Sequence, residues 1–174
     1  MILIITGNGK GKTTSAIGTA IRSIGWGKKT SMVCFDKGGS HYGEQQIFNL
    51  LQEKIDIFRF GKKRFDEKTK TFRLDNTNED MAEIKKAIDK ALDLLGDNYH
   101  LIICDELITC LDIGLIDKES TKNLIDKCPS TTNLILTGRN APGWLIKKAD
   151  LVSEVKEVKH YLKKTGKTIK GLDY

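Results

Sequence analysis

The sequence has no long apolar run. No segment approaches the about 20 apolar residues that a membrane-spanning helix requires. The apolar run at the amino terminus, residues 2–5, ends at Thr6 and has no basic leader. Neither a membrane anchor nor a secretion signal is indicated. We therefore expect a soluble, cytoplasmic protein with no membrane partner.

Paired cysteine motifs are also missing. The four cysteines, which include Cys110 and Cys128, are scattered and form no C-x-x-C pair. This spacing disfavours a zinc site or a disulfide framework. Cys34 and Cys104 fall in apolar runs, where a buried reduced thiol is the simplest interpretation. A reducing compartment fits this pattern.

Acidic residues are fewer than basic ones, 23 against 29, so the chain carries a formal net charge of +6. The excess favours an anionic partner such as a nucleotide, a nucleic acid or a phosphate-bearing cofactor, without selecting one of them. With 174 residues the chain has the size of one domain that can bury a substantial core. We expect residues 1–174 to form a single domain.

Short apolar runs rich in β-branched residues alternate with helical patterns. The predicted strands are residues 2–5, 30–35, 55–60, 101–104, 134–137 and 151–155. Helical periodicity covers residues 12–25 and 78–95. In the first of these helices, the apolar face is predicted to comprise Ala16, Ile17, Ala20, Ile21 and Ile24.

This alternation predicts an α/β fold, with a mostly parallel sheet and helices on both faces. In such folds ligands bind beyond the carboxyl ends of the strands. The polar residues 61–80 are expected to form a long surface loop that can reach this site.

A glycine-rich segment, "GNGKGKTT", lies between the first predicted strand and the first predicted helix. There, backbone N–H groups and the helix amino terminus can bind phosphate. The common pattern G-x-x-x-x-G-K-[ST] would place a glycine at position 6, where this chain has Thr6. The segment still favours nucleotide binding over a plain glycine turn, and it indicates a P-loop NTPase fold of the RecA-like type. The predicted nucleotide-binding residues are Gly7, Asn8, Gly9, Lys10, Gly11, Lys12, Thr13 and Thr14.

Two later strand ends carry further candidates. Asp105 and Glu106 follow the run "LIIC", and such carboxylates can hold Mg²⁺ directly or through water, together with Thr13. Which carboxylate touches the metal stays open, and a solvated turn is the alternative. Arg139, in "LTGRNAP", can clamp phosphates, although position alone fits a solvated loop arginine equally well.

Several segments together resemble a known family. They are "GNGKGKTTSAIGTAIRSIGWGKK", "LIICDEL", "ILTGRNAP", "ADLVSEVKEVKH" and "GKTIKGLDY", in this order. The chain resembles the P-loop type of ATP:corrinoid adenosyltransferase over nearly its whole length. The likeness includes the shortened phosphate loop and the distinctive carboxyl-terminal stretch.

The resemblance implies an enzyme in which the Co(I) of a reduced corrinoid attacks the 5′ carbon of ATP and inorganic triphosphate leaves. It implies Mg²⁺, a reversed orientation of the nucleotide, a homodimer and a flavin-type reductase partner, in adenosylcobalamin biosynthesis or salvage. It also implies catalytic roles for Lys12 and Arg139 and a metal site at Thr13, Asp105 and Glu106. No general base is needed because Co(I) is already a strong nucleophile.

Residues 61–72 depart most from the family pattern, in which an aromatic stretch crowds the lower face of the corrinoid. Phe65 is the nearest candidate for a corrinoid-binding residue there. Lys62, Lys63 and Arg64 fit either contacts with corrinoid amides or phosphate or a solvated basic loop. The amino-terminal segment that covers the site in the family has no counterpart before the first strand. His160 is given no catalytic role.

Three alternatives remain at this level. A nucleotide- or corrinoid-binding module without turnover would keep the loop and fit the altered residues 61–72. A RecA-like nucleic-acid-dependent ATPase would fit the basic carboxyl-terminal region, yet no second ATPase lobe is visible, so we expect no nucleic-acid partner. A small-molecule kinase would need a second-substrate motif, which we do not find.

Overall fold

The computed structural model describes residues 1–38, 43–51, 53–63, 65–66, 71–72 and 75–173. Its strands are β1 (Ile2–Thr6), β2 (Thr30–Cys34), β3 (Ile55–Arg59), β4 (Phe65–Asp66), β5 (Thr71–Phe72), β6 (Leu101–Asp105), β7 (Asn133–Thr137) and β8 (Leu151–Glu154). Its helices are α1 (Lys12–Gly25), α2 (Glu44–Leu50), α3 (Asn78–Leu94), α4 (Leu107–Asp112), α5 (Lys118–Asp126), α6 (Gly143–Lys148) and α7 (Tyr161–Thr165).

Six strands form one parallel sheet in the order β3-β2-β6-β7-β1-β8. All six are strands that the apolar runs predict, and the predicted α/β fold is confirmed. Strand β7 lies between β1, which leads into the glycine-rich segment, and β6, which ends at Asp105. The carboxyl ends of these strands therefore meet at a single edge of the sheet.

Hydrophobic cores cover both faces of the sheet. The larger core combines sheet residues such as Ile102 and Leu134 with Ile84 of α3 and Leu124 of α5. The smaller one lies under α1 and α2 and includes Ile103. Strands β2 and β6 are buried throughout, which explains why they read as continuous apolar runs.

Local signals set the helix ends. Helix α3 begins with a capping box, in which the Thr77 hydroxyl accepts from the Asp80 N–H and the Asp80 carboxylate accepts from the Thr77 N–H. Helix α1 starts after Gly11, whose φ of 118° is accessible to glycine but disfavoured for other residues. Pro142 is the N-cap residue of α6, which begins at Gly143.

The predicted apolar face of α1 is partly wrong. Ala16 and Ala20 are fully buried, but Ile21 is 45% exposed, and Ile17 and Ile24 are only half-buried. The two alanines let the helix lie close to the sheet, so the larger side chains on either side are left at the edge of the contact. Spacing alone does not reveal this narrow contact.

The prediction of one long loop over residues 61–80 is also wrong. β4 and β5 pair in antiparallel fashion, with Phe65 opposite Phe72. Helix α3 begins at Asn78, as the helical periodicity over residues 78–95 predicts. Helices α2, α4 and α5 were not predicted, because each has fewer than ten residues and is too short to show a clear helical period.

Among the described residues, no helix combines the length and apolarity needed to cross a membrane.

We expect Ile103→Ala to lower the free energy of unfolding by about 2–5 kcal/mol, because Ile103 is fully buried in the central strand and its removal leaves a cavity. Ile21→Ala removes the same atoms from an exposed position and is expected to change the free energy of unfolding by less than about 0.5 kcal/mol. Urea unfolding of both variants measures the difference. Equal losses would contradict the burial pattern described for α1 and β6.

Candidate active site

The chemistry-bearing residues converge at the carboxyl edge of the sheet. They lie on four connections, those that follow β1, β2, β6 and β7. The connection from β1 to α1, residues 7–11, is the phosphate loop. Strand β1 has a neighbour on each side, β7 and β8, so the connections that follow these two strands lie beside the phosphate loop.

The phosphate loop packs directly against the chain that follows β8. Gly9 N donates to Val155 O at 2.7 Å, and Val155 N donates to Thr6 O at 2.8 Å. A Cβ on Gly7 would lie 2.4 Å from Val155 O, and one on Gly9 would lie 2.8 Å from the backbone of Lys156. Gly7 also has a φ of 104°. Glycine is therefore required at both positions, by close approach and at Gly7 also by conformation.

Thr6 explains why the loop is one residue short. It is the last residue of β1, and its hydroxyl accepts a hydrogen bond from Ala141 N at 3.2 Å. The position where the common pattern has its first glycine is thus part of the strand, tied to the connection that carries Arg139.

Lys12 lies over the phosphate loop. Its side chain is buried, with 8% of the residue exposed, and Nζ donates to Gly9 O at 2.9 Å. Burial lowers the pKa of Lys12 below its ordinary value; the Glu106 carboxylate opposes this shift and Arg139 adds to it. The ammonium is therefore poorly solvated and faces the volume enclosed by the loop.

Thr13 and Asp105 are brought together, as the sequence predicts. Thr13 Oγ1 donates to Asp105 Oδ1 at 3.0 Å, across two strand spacings. Asp105 is fully buried, and Thr137 Oγ1 donates to the same carboxylate oxygen at 2.7 Å. A hydroxyl and a carboxylate on adjoining connections form the oxygen-rich centre of the site.

Lys37 is the main residue that the sequence reasoning missed. Its ammonium pairs with the Asp105 carboxylate, and Nζ lies 3.2 Å from Thr13 Oγ1. Burial alone would lower the pKa of Lys37, but the Asp105 carboxylate more than offsets this effect and raises the pKa well above its ordinary value. A signal for Lys37 was present, because it follows buried strand β2 at the edge where ligands bind.

The Glu106 carboxylate is held apart from Thr13 by local geometry. Glu106 has a φ of 64°, an uncommon conformation for a residue with a side chain. Its N–H donates to Thr137 Oγ1 at 2.9 Å, and its Oε2 accepts from Thr109 Oγ1 at 2.5 Å. The two neighbouring carboxylates, Asp105 and Glu106, therefore have different hydrogen-bond partners.

Arg139 and Glu106 share one hydrogen-bond partner, the Thr109 hydroxyl. The Arg139 N–H donates to Thr109 Oγ1 at 3.1 Å, and the arginine side chain is exposed. Gly138 has a φ of 146°, and a Cβ there would lie 2.3 Å from Thr109 N, so this turn is fixed against α4. After burial, the positive charge of Arg139 contributes to lowering the pKa of Lys12.

The carboxyl-terminal stretch also reaches the phosphate loop. Lys10 Nζ pairs with Asp173 Oδ1 at 2.9 Å, and Asp173 accepts further hydrogen bonds from Ile169 N at 2.7 Å and from the Tyr161 hydroxyl. The distinctive "KGLDY" segment thus contributes a carboxylate next to the loop, a role that sequence reasoning did not assign.

The remaining predicted residues lie around this centre. Asn8 and Thr14 are exposed at the loop and at the first turn of α1. The backbone of Phe65 belongs to β4, whereas its side chain lies outside the described part of the structure. His160 caps α7 by accepting from Leu162 N at 3.1 Å, which is a structural role.

The sequence model of the family described as ATP:corrinoid adenosyltransferase BtuR/CobO/CobP matches residues 1–174. The chain belongs to this family. It is accordingly a corrinoid adenosyltransferase, a transferase that uses ATP to adenosylate corrinoids. This confirms the enzyme class that the sequence resemblance implies.

Related proteins agree with this assignment. The corrinoid adenosyltransferase of Escherichia coli is 33% identical over 175 residues, which cover 100% of this chain and 85% of that protein. The one from Pseudomonas aeruginosa is 31% identical over 100% of this chain and 83% of its own length. The corrinoid adenosyltransferase CobA of Salmonella typhimurium is 32% identical, with 100% and 85% covered.

A solved structure supports the fold. A KaiC-like protein from the archaeon Pyrococcus horikoshii matches with a TM-score of 0.52 and 16% identity, over 91% of this chain and 73% of that one. At this identity the likeness concerns the fold alone, and it confirms the predicted RecA-like P-loop architecture.

We expect Gly7→Ala to prevent ATP binding and to destabilise the adenosyltransferase by at least about 1 kcal/mol, because the new Cβ would overlap Val155 O at a disfavoured φ. Gly18→Ala is the control: it lies in α1, where a Cβ meets nothing within 4 Å, and should raise stability by about 0.4–1 kcal/mol. Calorimetric ATP titration and urea unfolding measure both effects. Normal ATP affinity in Gly7→Ala would disprove the steric argument.

Proposed function

We propose that this adenosyltransferase transfers the 5′-deoxyadenosyl group of ATP to the Co(I) of a reduced corrinoid. The cobalt electron pair forms a bond to the 5′ carbon, the bond between this carbon and its oxygen breaks, and the electrons of that bond leave with triphosphate. The observation that carries the proposal is the cluster of Lys12, Thr13 and Asp105 around the phosphate loop. It offers charge and hydrogen-bond donors for a departing polyanion.

The phosphate loop and Lys12 are assigned to the leaving group. Charge accumulates on the triphosphate as the bond to carbon breaks, so fixed donors in a buried position stabilise the transition state more than the ground state. The low solvation of the Lys12 ammonium makes this interaction strong. Arg139, the second proposed catalytic residue, adds positive charge from the connection that follows β7.

The donor set fits Mg²⁺. Magnesium prefers oxygen ligands and is commonly bound by one or two protein groups together with phosphate oxygens. Thr13 Oγ1 and Asp105 Oδ1 provide such oxygens 3.0 Å apart, and the pairing with Lys37 indicates that the position attracts a cation. When bound there, Mg²⁺ would neutralise charge on the triphosphate. The described residues include no cluster of three His, Cys, Asp or Glu side chains, so phosphate and water would complete the coordination.

Glu106 is assigned a role next to the metal and the ribose instead of a direct metal contact. Its carboxylate accepts a hydrogen bond from Thr109, and its negative charge acts to raise the pKa of Lys12 against the effect of burial, which supports a position close to the phosphate loop. From there it can act on the metal through water or accept hydrogen bonds from ribose hydroxyls. We therefore assign the direct contact with Mg²⁺ to Asp105.

The shortened loop supports the reversed orientation of ATP. Because Thr6 is fixed in β1, the loop wraps fewer backbone groups around the phosphates than the common pattern does. A kinase must present the terminal phosphorus to its acceptor, whereas here the whole triphosphate can be held while the 5′ carbon faces the corrinoid. The hairpin of β4 and β5, with Phe65, is proposed to line the corrinoid side.

Further features are proposed on family resemblance. They are a single functional domain over residues 1–174, a homodimer, a flavin-type reductase that supplies Co(I), and a cytoplasmic location. No part of the chemistry above requires a nucleic acid.

An anaerobic assay with chemically reduced cobalamin and Mg-ATP tests the proposal. We expect a light-sensitive alkyl-cobalt product and triphosphate in equal amounts. ATP binding without this product would favour a binding module, and orthophosphate release stimulated by DNA or RNA would favour an ATPase. Either result would contradict the proposed reaction.

Lys12→Ala is expected to lower kcat by about 10²–10³-fold, because it removes a preorganised charge from the leaving group. Stability should fall by only about 0.5–1.5 kcal/mol through the lost bond to Gly9 O. Lys122→Ala, which removes a lysine paired with Glu119 on helix α5, provides the control. Steady-state kinetics and urea unfolding measure both variants, and full activity in Lys12→Ala would refute the assigned role.

Thr13→Ala is expected to raise the Mg²⁺ concentration needed for half-maximal activity, because the hydroxyl that lies 3.0 Å from Asp105 Oδ1 is lost. Thr13→Ser keeps the hydroxyl and should behave almost as the unmodified enzyme does. Activity measured over a range of Mg²⁺ concentrations compares them. An unchanged metal requirement in Thr13→Ala would remove Thr13 from the metal site.

A further inference from the structure

Lys37 lies where the proposed metal ion would bind. Its ammonium pairs with the Asp105 carboxylate, and Nζ is 3.2 Å from Thr13 Oγ1. Both of these oxygen-bearing side chains are assigned to Mg²⁺ above. The ammonium and the metal therefore compete for the same oxygen atoms, and they cannot occupy the position together.

Two backbone contacts fix the connection that carries Lys37 beside the site. Lys37 N donates to Phe60 O at 3.0 Å, which ties the connection after β2 to the end of β3. A Cβ on Gly38 would lie 2.3 Å from the backbone of Lys62, so the two connections are in direct contact. The Lys37 side chain, only 11% exposed, extends from this rigid junction into the site.

We propose that Lys37 holds the metal position in the nucleotide-free enzyme and moves onto the triphosphate when Mg²⁺ enters with ATP. The proposal rests on the metal site of the proposed function. A buried carboxylate such as Asp105 needs a cation at all times, since an unpaired buried charge is strongly destabilising. Lys37 supplies that cation until Mg²⁺ replaces it.

During this exchange every charged group keeps a partner of opposite charge. Mg²⁺ takes over the oxygens of Thr13 and Asp105, and the phosphate oxygens accept the released ammonium. The flexible four-carbon stem of lysine permits this short movement without a change in the backbone. The consequence is that Mg²⁺ binds poorly alone and well together with ATP, so Lys37 couples metal binding to nucleotide binding.

Lys37→Met tests the competition. Titration of the nucleotide-free protein with Mn²⁺ alone, followed by the electron paramagnetic resonance signal of free Mn²⁺, should give a Kd at least about tenfold lower than in the unmodified protein, because a competing positive charge is gone. Lys85→Met is the matched control: it causes the same change in net charge and breaks an ion pair with Asp89 on the surface of α3. Its Kd should equal that of the unmodified protein.

A double variant locates the metal. Lys37→Met combined with Asp105→Asn should lose the gain in Mn²⁺ affinity, because the carboxylate that binds the ion is removed. An unchanged Kd in folded Lys37→Met would overturn the proposal. A gain that persists in the double variant would overturn it as well, since the ion would then bind elsewhere.

Folding of each variant is checked by circular dichroism. Should Lys37→Met fail to fold, Lys37→Gln removes the charge but keeps a hydrogen-bond donor for Asp105, and the same gain is expected. The unmodified protein gives an independent result by nuclear magnetic resonance of lysine ammonium groups: the Lys37 signal should shift with Mg-ATP and stay unchanged with Mg²⁺ alone. A signal unaffected by bound Mg-ATP would contradict the exchange. None of these measurements uses a corrinoid, so their outcome is separate from that of the adenosylation assay.

Discussion

The burial of the Asp105 carboxylate is the constraint around which the site is organised. Asp105 ends the central strand β6 and is fully buried, so its charge must be compensated by protein groups. Thr13, Lys37 and Thr137 provide this compensation, and they come from the first turn of α1, the connection after β2 and the end of β7. The same contacts that satisfy one charge therefore fix the relative positions of the phosphate loop and of the connections that follow β2 and β7.

The chemistry of adenosyl transfer explains the kind of groups found there. In the proposed reaction the attacking cobalt needs no proton to be removed, and a highly charged triphosphate leaves. Lys12, Lys37 and Arg139 supply positive charge, and no step of the proposed reaction calls for a general base. Gly7 and Gly9 let the phosphate loop pack against the chain that follows β8 at a distance that any side chain would prevent.

The sequence predicts most of the fold because buried parallel strands appear as apolar runs that are followed by polar or charged functional residues. It also predicts that Thr13 and Asp105 meet, since the phosphate loop and a carboxylate pair after a strand are recognisable motifs that can hold Mg²⁺ together. Lys37 follows a buried strand as well, but it belongs to no such motif, and its pairing with Asp105 depends on β2 lying beside β6, which the local sequence does not encode. Likewise, the separation of Glu106 from Asp105 depends on one backbone angle, and the exposure of Ile21 depends on how closely α1 approaches the sheet.

The order of the strands in the sheet limits when the nucleotide site can form during synthesis of the chain. Strand β1 is the first to leave the ribosome, yet both of its neighbours in the sheet, β7 and β8, are among the last. The phosphate loop also requires Val155 for its shape. The nucleotide site therefore cannot take its final shape until β7, β8 and Val155 have been synthesised, long after the phosphate loop itself.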